Sequence, residues 1–159
     1  MLSTIFSLII ILFSIVLHEI AHGYTAYKLG DPTAKYAGRL TLNPLAHLDP
    51  VGSFLVPLFT LVMTLGRGPM FGWAKPVPIN PYNFTDQKYG QLKVAIAGPA
   101  MNFLVALILG LILKFFALPY IVWSIFSTAR ILNIYLGAFN LIPIPPLDGS
   151  HILSAFLNK

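Results

Sequence analysis

The residues most suited to chemistry lie in one short segment, His18-Glu19-Ile20-Ala21-His22. Residues four positions apart lie on the same face of an α-helix, so a helix here would direct both imidazoles toward one point. Two imidazoles at this spacing can hold one zinc ion, and Glu19, the only glutamate, could deprotonate a zinc-bound water and pass the proton to a leaving amine. The alternative is a pair of hydrogen-bonded, inert histidines at a helix end.

The position of this segment favours the metal site. Residues 2–17, which precede it, contain no charge, and the chain is 57% hydrophobic and only 9% charged. Soluble domains average about 25% charged residues, so we expect lipid rather than water around this chain. A cleaved signal peptide is disfavoured because no Lys or Arg precedes the apolar stretch. Ionisable groups inside a membrane cost on the order of 3 kcal/mol each and mark functional sites by default.

Composition excludes several other classes of site. The chain has no cysteine, so a disulfide framework and a thiolate metal site are both excluded. The ten Lys and Arg residues are scattered rather than clustered, which does not support binding to nucleic acid. They fit basic loops that face an anionic cytoplasmic leaflet.

The hydrophobic pattern predicts an all-α polytopic membrane protein with about three spanning helices. The predicted spans are residues 2–29, 91–117 and 120–142. The apolar segment 51–65 is too short to span, so we expect a re-entrant or surface segment. The alternation of residues 36–43 predicts a small β element, and residues 151–159 begin a further helix.

A catalytic zinc ion needs a third protein ligand and an open position. The candidates by residue type are Asp31, Asp49, Asp86, Asp148, His47 and His151. Asp148 stands out because Pro143, just before it, must open the preceding helix, and non-helical backbone at membrane depth is tolerated only where protein buries it or a cavity hydrates it. The alternative for Asp148 is an ordinary helix end with an Asp-Gly turn.

Several polar residues allow two interpretations. His47 and Asp49 either support the active site or form a polar turn, and the turn is favoured. His151 is expected near the membrane interface rather than on the metal. Arg130, in mid-span, is expected to extend toward the interface or to face protein. Asn102, like the neighbouring residues 98–99, either lets two helices approach closely near the metal or serves helix packing alone.

Four segments together resemble the site-2 protease family of intramembrane zinc metalloproteases. They are His18–His22, residues 72–78 (Gly-Trp-Ala-Lys-Pro-Val-Pro), residues 97–102 (Ala-Gly-Pro-Ala-Met-Asn) and residues 140–149. The resemblance implies that His18, His22 and Asp148 bind one Zn²⁺ and that Glu19 is the catalytic acid/base. It also implies that Asn140 holds the substrate strand or polarises its carbonyl.

The same resemblance implies a domain organisation. Residues 1–159 would form a single metalloprotease core of a short form without PDZ or CBS domains, and its C-terminal helices are missing or cut short relative to the family. The expected substrates are membrane-anchored proteins in the lipid bilayer, and the oligomeric state stays open. The edge of the predicted strand near Leu40 could capture an unwound substrate segment by adding it as a strand.

Topology predicts the orientation. The expected ligands lie at the C-terminal ends of the first and last spans, which can meet only if an odd number of crossings separates them. Residues 91–117 supply one crossing, so residues 51–65 should not cross. The basic residues on the metal side would then be cytoplasmic, in a prokaryotic cell membrane: Lys28, Lys35, Arg39, Lys75 and Lys88.

Two other classes remain open. A zinc transporter or sensor without protease activity would bind metal independently of Glu19. A structural membrane scaffold, in which polar residues only pair helices, would bind no stoichiometric zinc.

Overall fold

The chain folds into helices joined by loops. The computed structural model describes residues 2–65, 67 and 74–157. Six α-helices lie in this part of the chain: α1 (Leu2–Lys28), α2 (Thr33–Tyr36), α3 (Val56–Met63), α4 (Gly90–Phe115), α5 (Tyr120–Asn140) and α6 (Asp148–Leu157). Short 3-10 turns at Pro44–His47 and Pro81–Asn83 and a π-helical segment at Pro50–Leu55 complete the regular structure.

Three helices are long and apolar enough to cross a membrane. They are Phe6–Lys28 within α1, together with α4 and α5, and they contain 23, 26 and 21 residues. At about 1.5 Å per residue each matches a hydrocarbon core about 30 Å thick. The prediction of about three spanning helices is confirmed on these criteria, and the chain is a membrane protein.

Helix α4 is the centre of the bundle, because it packs against α1, α5 and α6. Its buried positions include the small residues Ala95, Gly98 and Ala106. Without a hydrophobic driving force between helices in lipid, close packing at small residues is a principal source of association. The small residues of α4 therefore let three other helices converge on one segment.

The predicted β element is wrong. The described residues contain no strand, and residues 36–43 form the end of α2 followed by bends. The alternation there does not separate inside from outside, since Arg39 is 6% exposed and Leu42 is 60% exposed. Main-chain hydrogen bonds run locally instead, as from Arg39 N to Ala34 O over 2.9 Å. The described chain therefore offers no strand edge near Leu40 for a substrate.

The segment predicted as re-entrant is one short helical run. Its π-helical part, Pro50–Leu55, continues directly into α3, and Leu58, Phe59 and Val62 on α3 are exposed apolar residues. An exposed apolar surface of this kind suits contact with lipid. The C-terminal helix α6 begins at Asp148 rather than at residue 151.

Candidate metal centre and active-site cavity

Two histidines from one helix and one aspartate from the start of another converge on one point. His18 and His22 lie one turn apart on α1, with their Nε2 atoms 3.0 Å apart. Asp148, in the first turn of α6, places its Oδ2 3.1 Å from His18 Nε2 and its Oδ1 3.3 Å from His22 Nε2. The three residues could hold a metal ion, since their ligand atoms all lie within 4.8 Å of one another. Of the six candidates for the third position, the structure brings Asp148 to the histidines.

Helix α4 fixes the orientation of both imidazoles. His18 Nδ1 donates to Asn102 Oδ1 over 2.6 Å, and His22 Nδ1 donates to the main-chain carbonyl of Val94 over 2.7 Å. Because both partners are acceptor oxygens, each ring carries its proton on Nδ1 and leaves the Nε2 lone pair facing the other ligands. This is the arrangement in which a second hydrogen bond orients a metal-binding histidine.

A buried polar network holds Asn102 in place. Its Nδ2 donates to Asn133 Oδ1 on α5 over 3.0 Å, and Asn133 Nδ2 donates to Ser14 Oγ on α1 over 2.9 Å. Asn102 and Asn133 are 0% and 1% exposed. Asn102 thus does more than let helices approach, because it links the imidazole of His18 to all three spanning helices.

Two glycines make the convergence sterically possible. A Cβ at Gly98 would lie 2.3 Å from His22 Nε2 and 2.6 Å from His18 Nε2, so no side chain fits there without displacing the histidines. A Cβ at Gly149 would lie 2.3 Å from the main-chain oxygen of Leu141. Gly149 therefore lets the start of α6 touch the end of α5, and this contact brings Asp148 to the histidines.

The donor set fits a divalent metal ion. Both Nε2 lone pairs and the carboxylate of Asp148 face one another, and Asp148 Oδ2 is buried without a hydrogen-bond donor. Electron-rich atoms this close repel one another unless a cation lies among them. Two imidazole nitrogens and one carboxylate are a ligand set of catalytic zinc sites, which keep a further position open.

Glu19 lies beside this cluster on the wall of a cavity of about 400 Å³. Its Oε2 accepts a hydrogen bond from the main-chain N–H of Val77 over 2.8 Å. The cavity is also lined by His18, His22, Asp148 and Asn140. Asn140, at the end of α5, donates its side-chain amide to Leu136 O over 3.0 Å.

The loop that the sequence motif singled out contributes to this cavity where it is described. Residues 72–73 lie outside the described residues, whereas Pro76 and Val77 line the cavity. The main-chain bond to Glu19 was missed by sequence reasoning, because a backbone N–H leaves no signal in the residue types.

The other candidate ligands have different surroundings. Asp31 is fully buried and accepts hydrogen bonds from Thr33, Asn80 and Asn83. Asp86 pairs with Lys93 over 2.7 Å, and Asp49 caps the π-helical segment. His151 lines the cavity and lies 3.3 Å from Gln91 Nε2.

His47 and Arg130 are also placed by the structure. His47 is 1% exposed and its Nε2 donates to Thr41 O over 2.9 Å, so its side chain is a buried part of the turn at Pro44–His47. Arg130 faces an apolar groove between α4 and α5, beside Gly110 and Phe103. Its side chain therefore contacts protein in mid-span.

A membrane-embedded helix with His-Glu-x-x-His and a third carboxylate ligand defines a metalloprotease type of site. Known proteins agree with this class. Residues 117–159 match the model of peptidase family M50. The "Putative zinc metalloprotease YwhC" of Bacillus subtilis is 42% identical over 154 residues, covering 91% of this chain and 66% of that protein.

Two relatives at lower identity are also named as zinc metalloproteases. "Putative zinc metalloprotease Rip2" of Mycolicibacterium smegmatis is 36% identical over 92% of this chain and 55% of its own length. "Zinc metalloprotease MJ0392" of Methanocaldococcus jannaschii is 32% identical over 96% of this chain and 34% of its own length. No solved structure gives a significant match.

The chain belongs to peptidase family M50, in agreement with its resemblance to the site-2 proteases. It spans between about a third and two thirds of the length of these three relatives, as the coverage of 34% to 66% shows.

Proposed function

We propose that this chain is a zinc-dependent intramembrane endopeptidase that hydrolyses peptide bonds of membrane-anchored proteins. The observation that carries the proposal is the convergence of His18, His22 and Asp148 beside Glu19 on one cavity. A scaffold would need neither a cluster of metal-ligand atoms nor a carboxylate next to it on the same cavity. Family membership supports the same reaction class.

In this proposal His18, His22 and Asp148 hold one zinc ion. The ion supplies Lewis acidity toward water and toward the scissile carbonyl. The chain itself orients the two imidazoles. Asn102 Oδ1 and Val94 O on α4 accept from their Nδ1 atoms, and both Nε2 atoms therefore face one point. Apolar side chains such as Val94 and Ala95 also line the cavity, and such neighbours strengthen electrostatic interactions at the site.

Glu19 is proposed as the general base and then the general acid. Its Oε1 is the oxygen not bonded to Val77, and it is the atom we assign to take a proton from the attacking water. The same proton then passes to the nitrogen of the leaving amine. The Val77 N–H keeps the carboxylate oriented while the proton moves.

Asn140 is proposed to contact the substrate. It lies on the cavity wall at the end of α5, and Asp148 lies on the same cavity at the start of α6. One amide proton is engaged with Leu136 O, and the second is available to a substrate carbonyl. That interaction would align the strand or stabilise developing negative charge.

The reaction is proposed to occur near the cytoplasmic side of a cell membrane. The basic residues of the loops between α1 and α4 lie at the metal end of the bundle, and the positive-inside rule makes that end cytoplasmic. Substrates would be spanning segments that unwind near this face.

Glu19→Gln tests the proposal. The substitution keeps the size of the side chain and leaves the three metal ligands unchanged, so zinc content should equal that of wild type. Cleavage of a single-span protein substrate in liposomes should fall about 10²- to 10⁴-fold, the usual contribution of a general acid–base group. Zinc content and cleavage are measured on the same preparations.

The outcomes separate the rival classes. Zinc in both proteins with cleavage by neither would favour a non-proteolytic zinc protein, and absence of zinc from wild type would favour a scaffold. Equal cleavage by wild type and Glu19→Gln would remove Glu19 from the mechanism.

A further inference from the structure

Arg39 is a buried cation to which the proposed mechanism gives no role. It follows α2 in the chain and is 6% exposed. It lies outside the set of residues that line the cavity. Burying a charge is costly unless hydrogen bonds satisfy it, so the contacts of Arg39 indicate what it does.

Those contacts are main-chain carbonyl oxygens from two loops. The guanidinium group donates to Ala46 O in its own loop. It also donates to Lys75 O over 2.5 Å and to Pro76 O over 3.1 Å. Hydrogen bonds from a charged donor are roughly twice as strong as neutral ones, and the fork geometry of Arg can hold several acceptors at once. Arg39 therefore ties the segment at Lys75–Pro76 to the loop after α2.

A second contact holds the same segment through a main-chain N–H group. The main-chain N–H of Lys75 donates to His47 O over 3.0 Å. The ring of His47 in turn donates to Thr41 O, which braces the loop internally. The backbone at Lys75 is thus fixed through both its N–H and its carbonyl oxygen.

The next residue is the one that contacts Glu19. Val77 N donates to Glu19 Oε2, and the flanking residues Pro76 and Pro78 have no N–H to offer instead. The Val77 side chain is 7% exposed and packs on α1, where a Cβ at Gly23 would lie 2.9 Å from Val77 Cγ1. The position of this single donor therefore depends on how the preceding two residues are held.

We propose that Arg39 is a positioning residue for Glu19. By holding the carbonyl oxygens of Lys75 and Pro76, it fixes the Val77 N–H that orients the carboxylate of Glu19. The inference rests on the proposed function for the role of Glu19. The metal ligands should be independent of Arg39, because α4 and α6 position them.

The test compares Arg39→Gln with Lys88→Gln, which removes an exposed positive charge from the same end of the protein. Both variants are assayed for zinc content, for kcat and KM on a single-span substrate in liposomes, and for hydrogen exchange of the Val77 amide by NMR. In Arg39→Gln we expect unchanged zinc content and faster Val77 exchange, by about tenfold or more. The value of kcat should fall about 10- to 100-fold with KM within about twofold, as for a misplaced catalytic group.

Arg39→Lys supplies the conservative variant. Lysine keeps the positive charge but lacks the planar guanidinium group that can hold several carbonyl oxygens at once. Its kcat and the exchange rate of its Val77 amide should therefore lie between those of Arg39→Gln and wild type. If Arg39→Gln does not fold, Arg39→Lys takes its place in the comparison. Lys88→Gln should match wild type in every measurement.

The two proposals fail in different ways. Glu19-dependent cleavage by wild type together with a normal kcat in Arg39→Gln would overturn the inference about Arg39. A protected Val77 amide in Arg39→Gln, or loss of zinc together with kcat, would overturn it as well. Wild type that shows no Glu19-dependent cleavage overturns the proposed function, whereas the exchange rate still reports whether Arg39 holds Val77.

Discussion

At the scale of single residues, the candidate metal site requires a residue without a side chain at position 98 as much as it requires the ligands themselves. Gly98 faces His18 and His22 from α4, one turn before Asn102, which orients one of them. The helix gains close contact there and the imidazoles gain room for their Nε2 atoms. A glycine in a helix interior costs roughly 0.5–1 kcal/mol relative to alanine, so a steric reason for it is expected.

Gly98→Ala should lower zinc affinity at least about 10- to 100-fold, the range seen when residues that orient metal ligands are changed. The added Cβ would lie 2.3 Å from His22 Nε2, so the ring must move. Zinc affinity is measured by competition with a chelator. Gly110→Ala on the same helix is the matched control, because its Cβ would lie 3.4 Å from Arg130 Cδ, which is an ordinary contact. Equal zinc affinity in the two variants would contradict the steric argument.

The residues proposed for the metal centre could be picked out from the sequence because their signal is local. His18 and His22 share one helix turn, and Asp148 follows a proline-rich helix end that needs no distant partner to be noticed. Asn133 and Ser14 gave no such signal, since they are 119 positions apart and meet only after the helices pack. The same holds for Arg39, whose partners at Lys75 and Pro76 are main-chain atoms.

At the scale of elements, the turn after α1 is held to the loop before α4 by Asp31. Its Oδ1 accepts from Thr33 and Asn83, and its Oδ2 accepts from Asn80 N over 2.7 Å. Burial alone would raise the pKa of Asp31, but these hydrogen bonds outweigh it and hold the pKa below its ordinary value of 3.8. The ionised form therefore stabilises the folded state.

Asp31→Asn should destabilise the protein by about 1–3 kcal/mol at neutral pH. The side-chain NH2 of asparagine would face the N–H and O–H groups that donate to the Asp31 carboxylate. Because the folded pKa is the lower one, this contribution is fully present above the ordinary pKa of 3.8 and is lost as the pH falls through the folded value. The difference in unfolding free energy between wild type and Asp31→Asn should thus be constant near neutrality and shrink in acid.

Thermal or denaturant unfolding in detergent at several pH values measures this difference. Asp86→Asn is the control, because Asp86 forms a partly exposed pair with Lys93, and such pairs contribute little. An asparagine there can still accept the hydrogen bond from Tyr89 N. A difference for Asp31→Asn that grows in acid would refute the assigned sign.

The elements themselves were predictable to different degrees. Spanning helices follow from long apolar runs, and the ends of α1, α4 and α5 lie within about two residues of the predicted ones. The strand prediction failed because a short alternation cannot show whether a pairing partner exists. Around Arg39 the main-chain groups form hydrogen bonds within the loop and with the Arg39 side chain instead of with a second strand. The apolar residue Leu42 stays exposed there.

At the scale of the whole molecule, the contacts of Asp31 also constrain the path through the membrane. Because Asp31 touches Asn80 and Asn83, the chain leaves α1 and returns toward α4 at the same end of the bundle. The intervening segment must then cross an even number of times. Its helical run, residues 50–63, spans only about 21 Å at 1.5 Å per residue, so it cannot supply two crossings of about 30 Å each.

Single cysteines at Lys35, Leu65 and Pro119 test this path in a chain that has no native cysteine. We expect that the segment between Lys35 and Leu65 does not cross, so both cysteines should react with a membrane-impermeant reagent from the same side. Pro119, in the connection between α4 and α5, should react from the other side. If the metal end is cytoplasmic, the first two react only in inverted vesicles and Pro119 only in intact cells. Labelling of Lys35 and Leu65 from opposite sides would mean that residues 50–63 cross, and α1 and α5 could not then run in the same direction as the site of His18 and Asp148 requires.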